Sequence, residues 1–415
     1  MSMYYDALET RPAAEREAAL LAALPGHIAQ AQQASSAFAH ILAGVDARSI
    51  TSRAALAQLP VTRKHELLER QQALRAQDPL GGFATRRWGP DMPRVFSSPG
   101  PIYEPQGCGA DHWRMARALY AAGFRTGELA HNCFSYHFVP AGAMMEAGAQ
   151  ALGCTVFPGG TGQTEQQVQA MAQLQPAGYI GTPSFLKIII EKAQDMGLAL
   201  PSLRKALLSA EAFPPSLRDW LAERGITAYQ CYASADLGLI AYETSARAGL
   251  VLAEDILVEI VRPGSGEPVA EGEVGEVVVT SFNPAYPLIR FGTGDLSATL
   301  PGPCPTGRSN TRIQGWMGRA DQTTKVRGMF VQPAQVAALV QRFPQVQRAR
   351  LVVSGAMASD QLLLQVETRE TAAGLAALLQ EAVRDITGLR AEVEMLPPGC
   401  LPNDGKVIED ARSYA

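Results

Sequence analysis

The chain has 415 residues, too many for one ordinary core, so two or three folding units are expected. Hydrophobic residues make up 47% and charged residues 18%, the balance of a globular enzyme, and a net charge of −4 without any basic block argues against nucleic acid as a partner. Cys108, Cys133, Cys154, Cys231, Cys304 and Cys400 lie far apart with no C-x-x-C pair, which argues against a zinc ribbon or a disulfide framework and fits reduced thiols. The N-terminal MSMYYDALETRPAAERE carries charges where a signal peptide needs an apolar run, and no apolar stretch reaches the roughly 20 residues that span a bilayer. A soluble, cytoplasmic protein with no membrane partner is expected.

In chain order, the first 75 or so residues read as helices, interrupted at Pro25, and LPVTRK (59–64) reads as a short extended lead-in to the helical HELLERQQAL. From about residue 110 helices and strands alternate. A helix at Asp111–Ala122 precedes a strand near Ala130–Phe134. Then come helix Ala141–Leu152, strand Cys154–Phe157, helix Gln163–Leu174, strand Gly178–Gly181, helix Pro183–Met196, strand Lys205–Ser209, helix Pro214–Glu223 and strand Ile226–Cys231. Such alternation predicts an α/β fold with a mainly parallel, helix-covered sheet, because parallel crossovers need a covering element. After residue 250, DILVEIV and EVGEVVVTSF read as a β subdomain. Helix Pro333–Phe343, strands Ala349–Val353 and Gln361–Glu367, helix Thr371–Thr387 and strand Ala391–Met395 then predict a small α+β module. The boundary is placed near Gly318, giving domains 1–317 and 318–415.

Polar, glycine-marked loops at strand ends are where open α/β sheets bind ligands. Three stand out: QCYASADLGL (230–239), PLIRFGTGDLS (287–297) and GWMGRADQTTKVRGMFVQP (315–333), with LPNDGK (401–406) placing a lysine on a punctuated turn. In this order, and together with ALGCTVFPGGTGQTEQQV and GYIGTPSFL, these segments resemble those of the phenylacetate–CoA ligases within the adenylate-forming superfamily. The resemblance runs from LPVTRK to LPNDGK. It implies a large N-terminal nucleotide- and acid-binding domain, a mobile C-terminal domain, and an ATP-dependent carboxylic acid–CoA ligase working through an acyl-adenylate. An aryl or arylacetic acid, ATP, Mg²⁺ and coenzyme A are the implied substrate and cofactors, and a homodimer is suggested by the family alone.

The resemblance also distributes roles. Asp295 in FGTGD accepts the ribose hydroxyls, a task for an ionised carboxylate at a tight turn. Arg319 contacts the ribose, and Asp321 is the hinge about which the small module pivots between two reactions. Lys406 brings an ammonium to the charge that develops on phosphate and carboxylate, in a loop one residue shorter than usual. Ser209, Ala210, Glu211, Gln230, Cys231, Tyr232 and Ile313 line the nucleotide site. Asp236 stands where the family has a Mg²⁺-supporting glutamate, and aspartate offers the same hard oxygen with less reach. Tyr136, His137 and Phe138 fall at the acyl pocket, and Lys325 and Arg327 face the cleft in the thioester-forming state. For each there is a plainer reading: turn Asp, surface ion pair, solvated lysine, core aromatic or structural histidine.

One segment departs from the pattern. The family has a Ser/Thr/Gly-rich loop with a lysine that cradles phosphate through backbone amides. The matching VFSSPGPIYEPQG (95–107) keeps Ser97, Ser98 and Gly100, but Pro99 and Pro101 remove two amide donors, the lysine is absent and Glu104 adds negative charge. Adenylation with a different acceptor, or a nucleotide-binding protein without ligase activity, are therefore the competing expectations. Two decoys are rejected: Gly160-Thr-Gly162 lacks the third glycine of a dinucleotide loop, and His65 with Glu69 lacks the second histidine of a zinc site.

Overall fold

A computed structural model describes residues 3–98, 101–320, 322, 324–326, 329–355, 361–369 and 374–412. The chain divides into two compact units, one of Met1–Val258, Val279–Phe291 and Leu300–Gly315, the other of Glu259–Val278, Gly292–Thr299 and Trp316–Ala415. Among the described residues no helix is long and apolar enough to cross a membrane.

The larger unit is built on a sheet in which Thr155–Pro158, Leu129–Asn132, Gly178–Gly181, Lys205–Leu208 and Thr227–Ser234 lie side by side in parallel. Gly238–Glu243, Leu250–Leu252 and Arg312–Ile313 continue it antiparallel. Each parallel step is bridged by a helix, as the alternation predicts. Helix Pro183–Asp195 shows why. Thr182 caps it by accepting from Phe185 N at 3.4 Å, and Pro183 occupies the first turn, where its missing N–H costs nothing. Leu186, Ile189, Ile190 and Ala193 recur on one face and are buried with Val168, Met171, Ala206, Leu208 and Ala228. Each such leucine or isoleucine contributes about 1.5–3 kcal/mol of burial.

Two sequence expectations are corrected here. The helix expected from Asp111 begins at Met115. Arg114 is left-handed (φ 64°), and the Asp111 carboxylate takes the amide hydrogens of Met115 and Ala116 at 2.8 and 2.9 Å, so Asp111 lies outside the helix and caps it. Pro25 does not interrupt the first long helix, which runs from Ala13 to Ala34. A proline inside a helix costs about 3 kcal/mol. Buried Leu24, His27, Ile28 and Ala31 flank it, and a rigid packed stripe on both sides of the proline offsets that loss.

The smaller unit carries a four-stranded sheet in the order Glu392–Leu396, Gln361–Thr368, Val346–Ser354, Ile408–Asp410. Its centre is an antiparallel pair with Leu351 opposite Leu364, and both outer strands are parallel to their neighbours. Helices Pro333–Arg342 and Leu375–Thr387 lay Val336, Leu339, Leu379 and Val383 on it. The helix expected from Thr371 is described from Leu375 onward. Strands Ile256–Val261, Gly275–Ser281 and Phe291–Ser297 each pass from one unit into the other.

Burial pushes His27 down to about 4, against a weaker hydrogen bond from the ring to the Ser281 backbone, and its Nε2 has no partner, as suits a neutral ring. Above about pH 6.5 the ring is neutral folded and unfolded, and has no effect. As pH falls from 6.5 toward 4, only the unfolded chain takes up the proton, so this residue removes up to about 3 kcal/mol of stability. Urea unfolding at pH 7.0, 5.5 and 4.5 should show that slope, and His27→Leu should flatten it in part, since His112 is also pushed down by burial to about 4.

Candidate active site

The parallel strands deliver their carboxyl ends to one edge of the sheet, and the first group of expected residues stands there. Asn132, fully buried at the end of its strand, folds the next loop back on itself. Its amide donates to Tyr136 Oη at 2.8 Å and to Gly142 O at 2.9 Å, and its Oδ1 accepts from Phe134 N at 3.2 Å. Tyr136 is thereby half-buried, and burial first, then a hydrogen bond to Glu146, pushes its phenol up, so it stays neutral. His137 and Phe138 lie beyond the fold on the solvent side. Phe138 is 80% exposed with φ 61°, and its carbonyl accepts from Ser97 N at 2.8 Å.

After the neighbouring strands, Ser209 is buried and donates to Cys231 O at 2.8 Å, Ala210 takes φ 69°, and exposed Glu211 accepts from Ser184 N at 3.3 Å. A left-handed alanine costs roughly 1–2 kcal/mol, strain of the kind that collects at ligand sites. Burial pushes the Cys231 thiol up to about 12, so the residue offers backbone rather than sulfur chemistry. Gln230 N donates to Glu243 Oε2 at 3.1 Å, and Glu243 is itself held by Arg218 at 2.9 Å. Tyr232 is half-buried in the same strand. Ile313 is fully buried in the sheet opposite Leu250, which makes its side chain core. The rejected glycine loop turns the carbonyls of Gly159, Gly160 and Gly162 onto Gln167 Nε2 at 2.8, 3.2 and 3.3 Å.

The segment expected to stand at the phosphates is an antiparallel hairpin, Arg94–Ser98 with Ile102–Gln106, in which Ser97 faces Tyr103 and Ser98 faces Ile102. Gly100 lies outside the described residues. The Ser98 hydroxyl donates to Glu104 Oε1 and is occupied by that contact. Glu104 is 2% exposed; burial first, then the nearby Asp236 carboxylate, push it well above the usual carboxylate range. Lys64 lies 2.9 Å from Asp236 Oδ2 and 3.9 Å from Glu104 Oε1, so one ammonium serves two carboxylates. Sequence reasoning missed Lys64: it sits in the LPVTRK lead-in, 172 residues before its partner, and no local pattern joins them.

In the smaller unit Gly294 takes φ 73° and lets the Arg319 guanidinium lie where a Cβ would stand, 2.6 Å from Nη2. Arg319 Nη1 then reaches Asp295 Oδ1 at 2.8 Å, and Trp316 Nε1 donates to the same oxygen at 3.1 Å. Asp295 and Arg319 also face each other as an isolated antiparallel bridge. The two residues are 24 apart in sequence and are brought together by the fold; Trp316 was not foreseen. Lys406 is exposed, 3.8 Å from Glu409 Oε1, and its loop is tied down by Arg350, which donates to Lys406 O at 3.2 Å and to Asp404. Gly405 packs against Leu296, next to Asp295. Lys325 lies in strand Thr324–Val326 opposite Phe330. Asp321 and Arg327 lie outside the described residues.

A family model for AMP-binding enzymes matches residues 105–285. Phenylacetate-coenzyme A ligase of Thermus thermophilus is 30% identical, with 96% of each chain covered. Phenylacetate-coenzyme A ligase of Escherichia coli is 30% identical over 88% of this chain and 86% of its own. Among solved structures, 2-hydroxyisobutyryl-CoA ligase in complex with 2-HIB-AMP and CoA superposes with a TM-score of 0.72 at 26% identity, covering 97% of this chain and 92% of that one. The fold and the strand-end site thus define an adenylate-forming enzyme. Within that class the chain belongs to the phenylacetate–CoA ligase family, as an AMP-forming acid–thiol ligase.

The Ser98 hydroxyl donates to buried Glu104, so Ser98→Ala should leave a carboxylate oxygen with one donor fewer. A loss of about 1–3 kcal/mol is expected in denaturant unfolding, against less than about 0.5 kcal/mol for an exposed serine such as Ser216→Ala in the same assay.

Proposed function

We propose that this enzyme joins an aryl or arylacetic acid to coenzyme A through an acyl-adenylate. The acid's carboxylate oxygen attacks the α-phosphorus of ATP, and the bond to pyrophosphate breaks. The thiol sulfur of coenzyme A then attacks the acyl carbonyl, and AMP leaves with its oxygen. Nothing in this sequence of steps needs a covalent protein nucleophile; it needs positioned charge and hydrogen-bond donors. The observation that carries the reading is the Asp295–Arg319 pair on its glycine turn, a carboxylate preset to accept two ribose hydroxyls.

The aromatic preference is supported by Tyr136, whose neutral ring Asn132 holds half-buried beside buried Phe134, and by the names of the curated relatives. Ser209, Ala210, Glu211, Gln230, Cys231 and Tyr232 frame the base through backbone groups and a ring face. Arg319 and Lys406 are the cations of the small unit, with Asp321 as its hinge. Mg²⁺, when bound, screens the charge of the phosphates. Asp236 fits that ion, because its Oδ1 is buried without a partner.

Incubation with ATP, Mg²⁺, coenzyme A and a panel of acids should yield pyrophosphate and thioester together, with phenylacetate or a ring-substituted relative turned over faster than short aliphatic acids. Pyrophosphate without thioester would assign a different acceptor, and no nucleotide binding in calorimetry would end the enzymatic reading. Lys406→Ala should slow pyrophosphate release by about 100-fold or more, while a supplied acyl-adenylate is still converted to thioester. Equal loss in both half-reactions would remove Lys406 from the adenylation step.

A further inference from the structure

Glu104 is the residue by which this chain departs most from its family's phosphate loop, and the fold gives it a definite setting. It shares the Lys64 ammonium with Asp236, and the two carboxylates are 2% and 6% exposed. Each keeps one oxygen, Glu104 Oε2 and Asp236 Oδ1, buried with no hydrogen-bond partner. A third such atom belongs to Tyr286, itself 2% exposed, whose hydroxyl also lacks a partner. Beyond its burial, that phenol is raised by the nearby charges of Asp236 and Glu104.

Three unmatched oxygens in one buried neighbourhood are a costly arrangement for a folded chain to keep. A hard divalent cation is the ligand they fit. Magnesium is commonly held by one or two carboxylates, with substrate phosphates and water completing its octahedron. Among the described residues no group of three or more His, Cys, Asp or Glu stands ready to hold a metal, which suits such an open shell better than a closed protein cage. Lys64, whose side chain is 40% exposed, can leave the pair along its own flexible stem.

We propose that Glu104 joins Asp236 in holding the divalent cation that accompanies ATP, with the Tyr286 hydroxyl donating to a carboxylate oxygen or bound water of that shell. The proposal rests on the ligase reading above. In this chain positive charge reaches the phosphates through a recruited cation, where the family's loop uses amides and a lysine.

Mn²⁺ is the probe, titrated by electron paramagnetic resonance into the full-length protein saturated with α,β-methylene-ATP. The wild type should take up one Mn²⁺ per chain, and Glu104→Gln should weaken that binding by about ten-fold or more. Tyr286→Phe should weaken it by less. Wild-type Mn²⁺ affinity in Glu104→Gln would overturn the proposal. If that variant shows no cooperative unfolding transition, Glu104→Asp replaces it: several-fold weaker Mn²⁺ binding supports the site, and unchanged binding overturns it equally. A wild type that binds no nucleotide in calorimetry would overturn the ligase reading and this site together. A wild type that binds nucleotide, with Mn²⁺ indifferent to residue 104, would overturn the site alone.

Discussion

Parallel strand pairing is the constraint from which the larger unit follows. A parallel neighbour cannot be reached by a tight turn, so each step from one of the five parallel strands to the next needs a crossover that returns the chain to the same starting edge. All carboxyl ends therefore open on one edge, and the loops that leave them are free of the packing that fixes the helices. Asn132–Tyr136, Thr182, Ser209–Glu211 and Cys231–Tyr232 stand together for that reason. Ala210 shows the consequence locally: its left-handed backbone is tolerable where a fixed sheet over-determines the loop, and it turns the chain within one residue of a buried strand.

How legible this was in the sequence depends on how local the cause was. Gly178–Gly181 is a strand bounded by its own neighbours, and helix Pro183–Asp195 announces itself by Thr182, Pro183 and the spacing 186, 189, 190, 193. Those elements could be read because propensity, capping and burial agree within a dozen residues. Pro25 could not, because the stripe that overrides it faces a surface the sequence does not reveal. Asp111 misled for a subtler reason: an acidic residue before an apolar run marks a helix start, but this carboxylate reaches forward across a left-handed Arg114 to amides four and five residues on. The site residues divide in the same way. Asp295 and Arg319 could be singled out by motif order, whereas the contacts of Lys64 and Trp316 exist only through distances that folding creates.

Charge in this protein is sparse and much of it is buried. Glu9 accepts from Arg117 at 3.2 Å and lies 2.9 Å from Arg308, and Arg16 reaches Glu254 at 3.1 Å with both side chains 4% exposed. Such pairs add little net stability over packed apolar residues, because both charges lose their water, but breaking one partner is severe. Their effect is one of specification: the short N-terminal turn Ala7–Thr10 and the first long helix can dock only where those partners wait. The same logic governs Arg218 and Glu243, whose pair fixes the carboxylate that receives Gln230 N in the middle of the strand carrying Cys231 and Tyr232.

The hairpin at residues 94–106 carries this argument into the chemistry. A phosphate loop works by leaving amides unpaired and aimed at the ligand. Here Arg94–Ser98 and Ile102–Gln106 pair as strands, a proline stands at 101, and the Ser98 hydroxyl is given to Glu104. Strand pairing takes up amides that an open loop would offer to a ligand, and the buried carboxylate beside them adds no attraction for phosphate. Among the described residues Lys64 is the positive group in ion-pair distance of Glu104 and Asp236, and Glu104 Oε2 and Asp236 Oδ1 remain unmatched. Loss of the loop's donors and gain of a buried acidic residue are thus one change seen from two sides. On the proposal made above, the charge needed for phosphoryl chemistry comes from the cation that the two carboxylates select.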